Sequence, residues 1–79
     1  MKLTRYGRNQ TEIERDNGVI VLYSYKTPVA AFVPGKGGWC STRRYSKTTS
    51  QHINAAIVRW GCSRMDVDQG IIDQIAGAY

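Results

Sequence analysis

Apolar and polar positions change their rhythm once along this chain. Up to about residue 45 the rhythm is that of strands, with side chains alternating between two faces. Leu3 to Tyr6 reads as a short strand closed by Gly7, and Thr11-Glu12-Ile13-Glu14-Arg15 alternates modestly. Asp16-Asn17-Gly18 follows, and its Asn-Gly pair suits the positive φ angles of a type I′ hairpin turn. Val19-Ile20-Val21-Leu22-Tyr23-Ser24-Tyr25 is the strongest strand; it is apolar on both sides, which places it centrally in a sheet. Lys26-Thr27-Pro28 breaks it, Val29-Ala30-Ala31-Phe32-Val33 is the next strand, and Pro34-Gly35-Lys36-Gly37-Gly38 is a loop of turn formers. From Trp39 to Tyr45 alternation puts Trp39, Ser41, Arg43 and Tyr45 on one face and Cys40, Thr42 and Arg44 on the other.

The period then becomes helical. Ser46-Lys47-Thr48-Thr49-Ser50 supplies hydroxyls able to accept the unpaired amide hydrogens of a helix start. Ile53, Ala56, Ile57 and Trp60 fall at helical spacing and predict a helix over about 49–60 with Ile57 and Trp60 buried. Gly61 ends it. Ser63 with Asp66 reads as a capping box, Asp66 and Asp68 suit a helix N-terminus, and Val67, Ile71 and Ile75 form a second stripe, predicting a helix over about 65–76. Strands first and helices last describe an α+β fold: a four- or five-stranded antiparallel meander over about 2–45, with one or two helices packed on the sheet.

Length and composition narrow this further. At 79 residues the chain is expected to be a single small domain with a thin core, too short for a doubly wound sheet with a second domain. The longest apolar runs, Val19–Tyr23 and Val29–Val33, fall far short of the roughly 18 residues of a membrane span. No apolar segment follows Met1-Lys2-Leu3-Thr4-Arg5, so no secretory signal is expected. Cys40 and Cys62 are then expected as thiols in a cytoplasm, although a disulfide between them stays open. Charge is unevenly spread: residues 1–64 hold all eleven Lys and Arg against Glu12, Glu14 and Asp16, whereas residues 65–79 hold Asp66, Asp68 and Asp73 and no base. A basic body suits a polyanion or an acidic protein face, and it also keeps a small domain in solution.

The segment carrying the most chemistry is 36–47. Lys36, Arg43, Arg44 and Lys47 can neutralise phosphates or carboxylates, and Trp39 and Tyr45 can stack on bases or guanidinium planes, or serve the core instead. Thr48, Thr49, Ser50 and His52 offer more polar groups than one cap needs, so they form a candidate anion site at a helix start; side-chain bonds holding the corner together are the plainer use. Cys40, Cys62 and His52 match no zinc spacing, and no thiolate with an orienting group stands out. Gly35-Lys36-Gly37-Gly38 lacks the phosphate-loop pattern and joins strand to strand. No catalytic residue, metal site, cofactor or small-molecule substrate is therefore expected.

Two segments, Tyr25-Lys26-Thr27-Pro28-Val29-Ala30 and Tyr45-Ser46-Lys47-Thr48-Thr49-Ser50-Gln51-His52-Ile53-Asn54, resemble a group of short uncharacterised proteins of phages and prophages. Those carry S-Y-x-T-P-V-A and, some twenty residues later, aromatic-S-x-T-T-S-x-H-I-N; the likeness covers roughly residues 5–60. The resemblance implies a phage-borne accessory protein in a bacterial cytoplasm, and no site residue comes with it. The expected function is non-enzymatic binding: an anti-defence inhibitor of the anti-CRISPR kind, acting on a host protein or ribonucleoprotein complex. The alternative is direct DNA or RNA binding in phage replication or transcription.

Overall fold

The computed structural model describes residues 2–7, 9–42 and 47–77. Five strands come first: β1 (Lys2–Gly7), β2 (Gln10–Glu14), β3 (Ile20–Ser24), β4 (Thr27–Val33) and β5 (Gly37–Ser41). Helix α1 (Lys47–Trp60), strand β6 (Arg64–Val67) and helix α2 (Gln69–Gly77) follow. The fold is α+β, but the sheet has six strands in sequence order rather than four or five, and it is mixed: β1 to β5 pair antiparallel, β6 pairs parallel to β5. The parallel pair requires a long crossover, which α1 supplies.

The register draws two rows across the whole sheet. Thr4, Glu12, Leu22, Ala30, Cys40 and Asp66 stand side by side on the front face; Leu3, Ile13, Val21, Ala31, Trp39 and Met65 do so on the back. α1 covers the front, where Ile53 and Ala56 pack on Leu22, Val29, Ala30 and Cys40. α2 lies along β4 and β5, with Ile72 fully buried, and accounts for the burial of Val21 and Ala31 on the back. Hydrogen bonds tie it down: Gln69 Nε2 donates to the Pro28 carbonyl at 2.8 Å, and Arg15 donates to that of Ala76 at 3.3 Å.

Several local expectations change. The second helix begins at Gln69, not near residue 65, because Arg64-Met65-Asp66-Val67 is strand. Ser63 and Asp66 are thus not a capping box; Asp68 precedes the helix, and its carbonyl accepts from Ile71 at 3.0 Å. Val67 belongs to β6, and the buried isoleucine of α2 is Ile72, with Ile71 37% exposed. α1 starts at Lys47, two residues before the expected start at 49. Ile57 and Trp60 are half-buried at the margin of the core, where Phe32 and Trp60 meet at 6.1 Å between ring centres.

The turn at Asn17-Gly18 is not type I′. Only Gly18 has positive φ (91°), while the Arg15 carbonyl accepts from Gly18 and the Arg15 amide donates to Val19, a three-residue loop with a glycine bulge. Pro28 lies inside β4 rather than ending a strand, at the irregularity in the β3–β4 register where a missing amide donor is tolerated. Gly37 and Gly38 open β5 instead of completing the preceding loop. The expected strand over 39–45 is described only to Thr42, and it ends at Ser41.

Candidate functional site: the basic segment and the polar clusters beside it

Lys36 sits exposed in the turn between β4 and β5. Val33-Pro34-Gly35-Lys36 builds that turn, with Lys36 donating its amide to the Val33 carbonyl at 2.9 Å and Gly35 at φ 82°. Proline followed by a positive-φ glycine is the sequence such a turn requires. Lys47 is exposed at the first turn of α1. Arg43, Arg44 and Tyr45, the centre of the expected binding segment, lie outside the described residues.

Trp39 stands in the back-face row between Ala31 and Met65, half-buried. Its indole N–H is buried and has no hydrogen-bond partner among the described residues. Its neighbours are the sheet's own, so Trp39 is partly engaged in packing instead of standing clear as a stacking platform.

The hydroxyl cluster divides in two. Thr49 and His52, one helical turn apart, face the sheet: Thr49 Oγ1 and His52 Nδ1 each lie 3.0 Å from Ser24 Oγ on β3. Ser24 is 2% exposed, so this trio pins the start of α1 to the core. Thr48 and Ser50 point outward and are exposed. The four residues of the candidate anion site therefore do not converge: two hold the corner, and two meet solvent.

A second polar cluster was not foreseen from sequence. Glu12, 6% exposed, faces α1 from the front row of the sheet. Arg59 binds it through an ion pair and a 3.1 Å bond from Nε, and Trp60 Nε1 donates to its other oxygen at 3.2 Å. The Arg59 guanidinium also lies 3.8 Å from the centre of the Tyr6 ring. The available signal was Glu12 at an inward position of a strand whose hairpin partner is apolar, together with Arg59 beside Trp60 at the end of an amphipathic helix.

The cysteines lie near this core. Cys40 is fully buried beneath α1, and burial pushes its thiol up to about 11, against a smaller opposing pull from Arg64. Cys62 is half-buried, and both are free thiols. Cys62 Sγ and Ile57 Cδ1 approach β5 so closely that a Cβ at Gly38 would meet them at 2.8 and 2.6 Å. Among the described residues no group of three or more His, Cys, Asp or Glu is placed to hold a metal, and no helix is long and apolar enough to cross a membrane. A concavity lined by Asn9, Tyr25, Lys26 and Thr27 lies at the opposite end of β4 from Lys36.

No curated protein and no solved structure matches the chain. A family model does, over residues 1–74, nearly the whole sequence and all the strands described above. The chain belongs to that family, DUF8033, a family of unknown function.

Proposed function

We propose that the chain is a non-enzymatic binding protein of phage or prophage origin, an anti-defence inhibitor of the anti-CRISPR kind acting in the bacterial cytoplasm. Its partner is a nucleic-acid-handling protein or ribonucleoprotein complex, engaged through the basic segment 36–47. The observation that carries the reading is charge: eleven Lys and Arg oppose three acids through residue 64, and Lys36 and Lys47 stand exposed at the two ends of the segment. The polar groups nearest the core have internal tasks, Ser24, Thr49 and His52 with one another and Glu12 with Arg59 and Trp60, while segment 36–47 holds four of the eleven Lys and Arg in the sequence. Arginine forks suit carboxylates and phosphates equally. The phage setting rests on the resemblance of residues 25–30 and 45–54.

The test is a joint Arg43→Glu, Arg44→Glu, Lys47→Glu variant, compared with wild type in affinity capture from an infected host and in phage protection. The expected result is an unchanged circular dichroism spectrum with loss of the co-purifying complex and of protection. A folded variant that retains both at physiological salt overturns the reading. A mobility shift with free DNA or RNA, falling steeply with salt, would assign the surface to direct nucleic-acid binding instead.

A further inference from the structure

β6 is an edge strand, and its outer side is open: Arg64, Met65 and Asp66 are all exposed. Its backbone polarity follows from two bonds. The Ser63 carbonyl accepts from Gly38 and the Val67 carbonyl accepts from Thr42, both at 2.8 Å, so residues 63 and 67 turn their polar groups toward β5. Alternate residues of a strand point the same way, so Met65 does too, and the N–H and C=O of Arg64 and Asp66 point outward. Such a row is a template for another strand.

We infer that β6 pairs antiparallel with β6 of a second copy of this chain, about a two-fold axis through Met65. Within β6, only one register sets opposite charges face to face at every outward-bonding position: Arg64 against Asp66 of the second copy, and the reverse. Each such pair exchanges two backbone hydrogen bonds, and Met65 meets Met65 at the closer, non-bonded position between them. Sliding by two residues in either direction sets Arg64 against Arg64 or Asp66 against Asp66. The side chains agree with the backbone. Arg64 and Asp66 share the front face, where Arg64 Nε already reaches Asp66 Oδ1 at 3.1 Å, so two copies present a ring of four alternating charges. On the back face Met65, 52% exposed beside Trp39, meets its counterpart and joins the two apolar rows. Residue i contacting j while j contacts i is the condition for a closed dimer. The other edge lacks this self-complementarity: β1 carries Lys2 and Arg5 and no acid, so no register of β1 on itself sets a cation against an anion.

The test is sedimentation of four samples: wild type, Arg64→Asp, Asp66→Arg, and an equal mixture of the two variants. Wild type should move from a mass of 8.9 kDa toward twice that between micromolar and millimolar concentration, and strong salt should reverse it. Each variant alone sets like charges opposite and should stay at the monomer mass. The mixture sets one acid against one base at each of the two pairs and should dimerise, which also shows that both variants fold. A wild type that stays monomeric at millimolar concentration, variants that dimerise alone, or a mixture that stays monomeric would each overturn the assignment.

Discussion

Glu12 puts a charge where the pattern of the sheet calls for an apolar side chain. Its front-row neighbour is Leu22, and it is 6% exposed, so the carboxylate depends on Arg59 and Trp60 for the bonds that water would otherwise give. Glu12→Ala takes the acceptor from the half-buried Trp60 indole and leaves Arg59, whose side chain is 27% exposed, to water, so it is expected to cost about 1–3 kcal/mol. Glu12→Gln, which keeps an acceptor for the indole, should cost less. Urea midpoints decide this, and equal midpoints for Glu12→Ala and wild type would refute it. Cys40 makes a pH-dependent claim. Its thiol holds its proton to about 11 in the fold against an ordinary 9.0, so between those values the unfolded chain binds fewer protons. That contribution is whole below about pH 9 and lost as pH rises through 11, on the order of 2 kcal/mol. Other groups titrate there as well, so the measurement is the difference in slope between wild type and Cys40→Ala, expected to be flatter for the variant.

α2 presents two adjacent isoleucines with opposite fates, and that contrast tests the helix's orientation. Ile72 is fully buried, so Ile72→Ala should cost about 2–5 kcal/mol, whereas Ile71→Ala, at a 37% exposed position, should cost well under half of that. A reversed order in thermal melts would restore the stripe through Val67, Ile71 and Ile75. Gly38 tests how α1 and the Cys62 loop seat on β5. Gly38→Ala drives a Cβ into Ile57 Cδ1 at 2.6 Å and should destabilise by about 1–3 kcal/mol; Ile57→Val, which removes that methyl, should recover part of the loss in the double variant. The hairpins were legible in the sequence because their pairing is local and turn residues such as Asn17-Gly18 and Pro34-Gly35 punctuate them. α1 was legible from its hydroxyl-rich start and its stripe. β6 was not: four residues are too few to establish a period, Val67 also fits a helical stripe with Ile71 and Ile75, and a parallel partner across α1 leaves no local mark. For the candidate site, spacing singled out Thr49 and His52, but their shared partner Ser24 lies 25 and 28 residues away, a distance only the fold closes.

At the scale of the molecule, the sheet is sealed by two helices reaching opposite faces on either side of β6. The back-face row is buried at its middle, Val21 and Ala31, and open at its ends, Leu3 and Met65. A chain ending at Asp68 would keep every strand but lose the cover over Val21 and Ala31 and the bonds from Gln69 and Arg15. Such a truncation is expected to lose cooperative unfolding and to bind a hydrophobic dye; a sharp thermal transition with no dye binding would contradict it.

The order of elements also sets a schedule for synthesis. Residues 2–41 can form five strands as they emerge, since each antiparallel pair joins neighbours in the chain. The front of that sheet receives its cover with α1, but the back waits until residues 69–77 have been made. A nascent chain whose first five strands pair before α2 is made would show one bare apolar face to the cell. In that interval, chaperones and like chains compete with α2 for the surface.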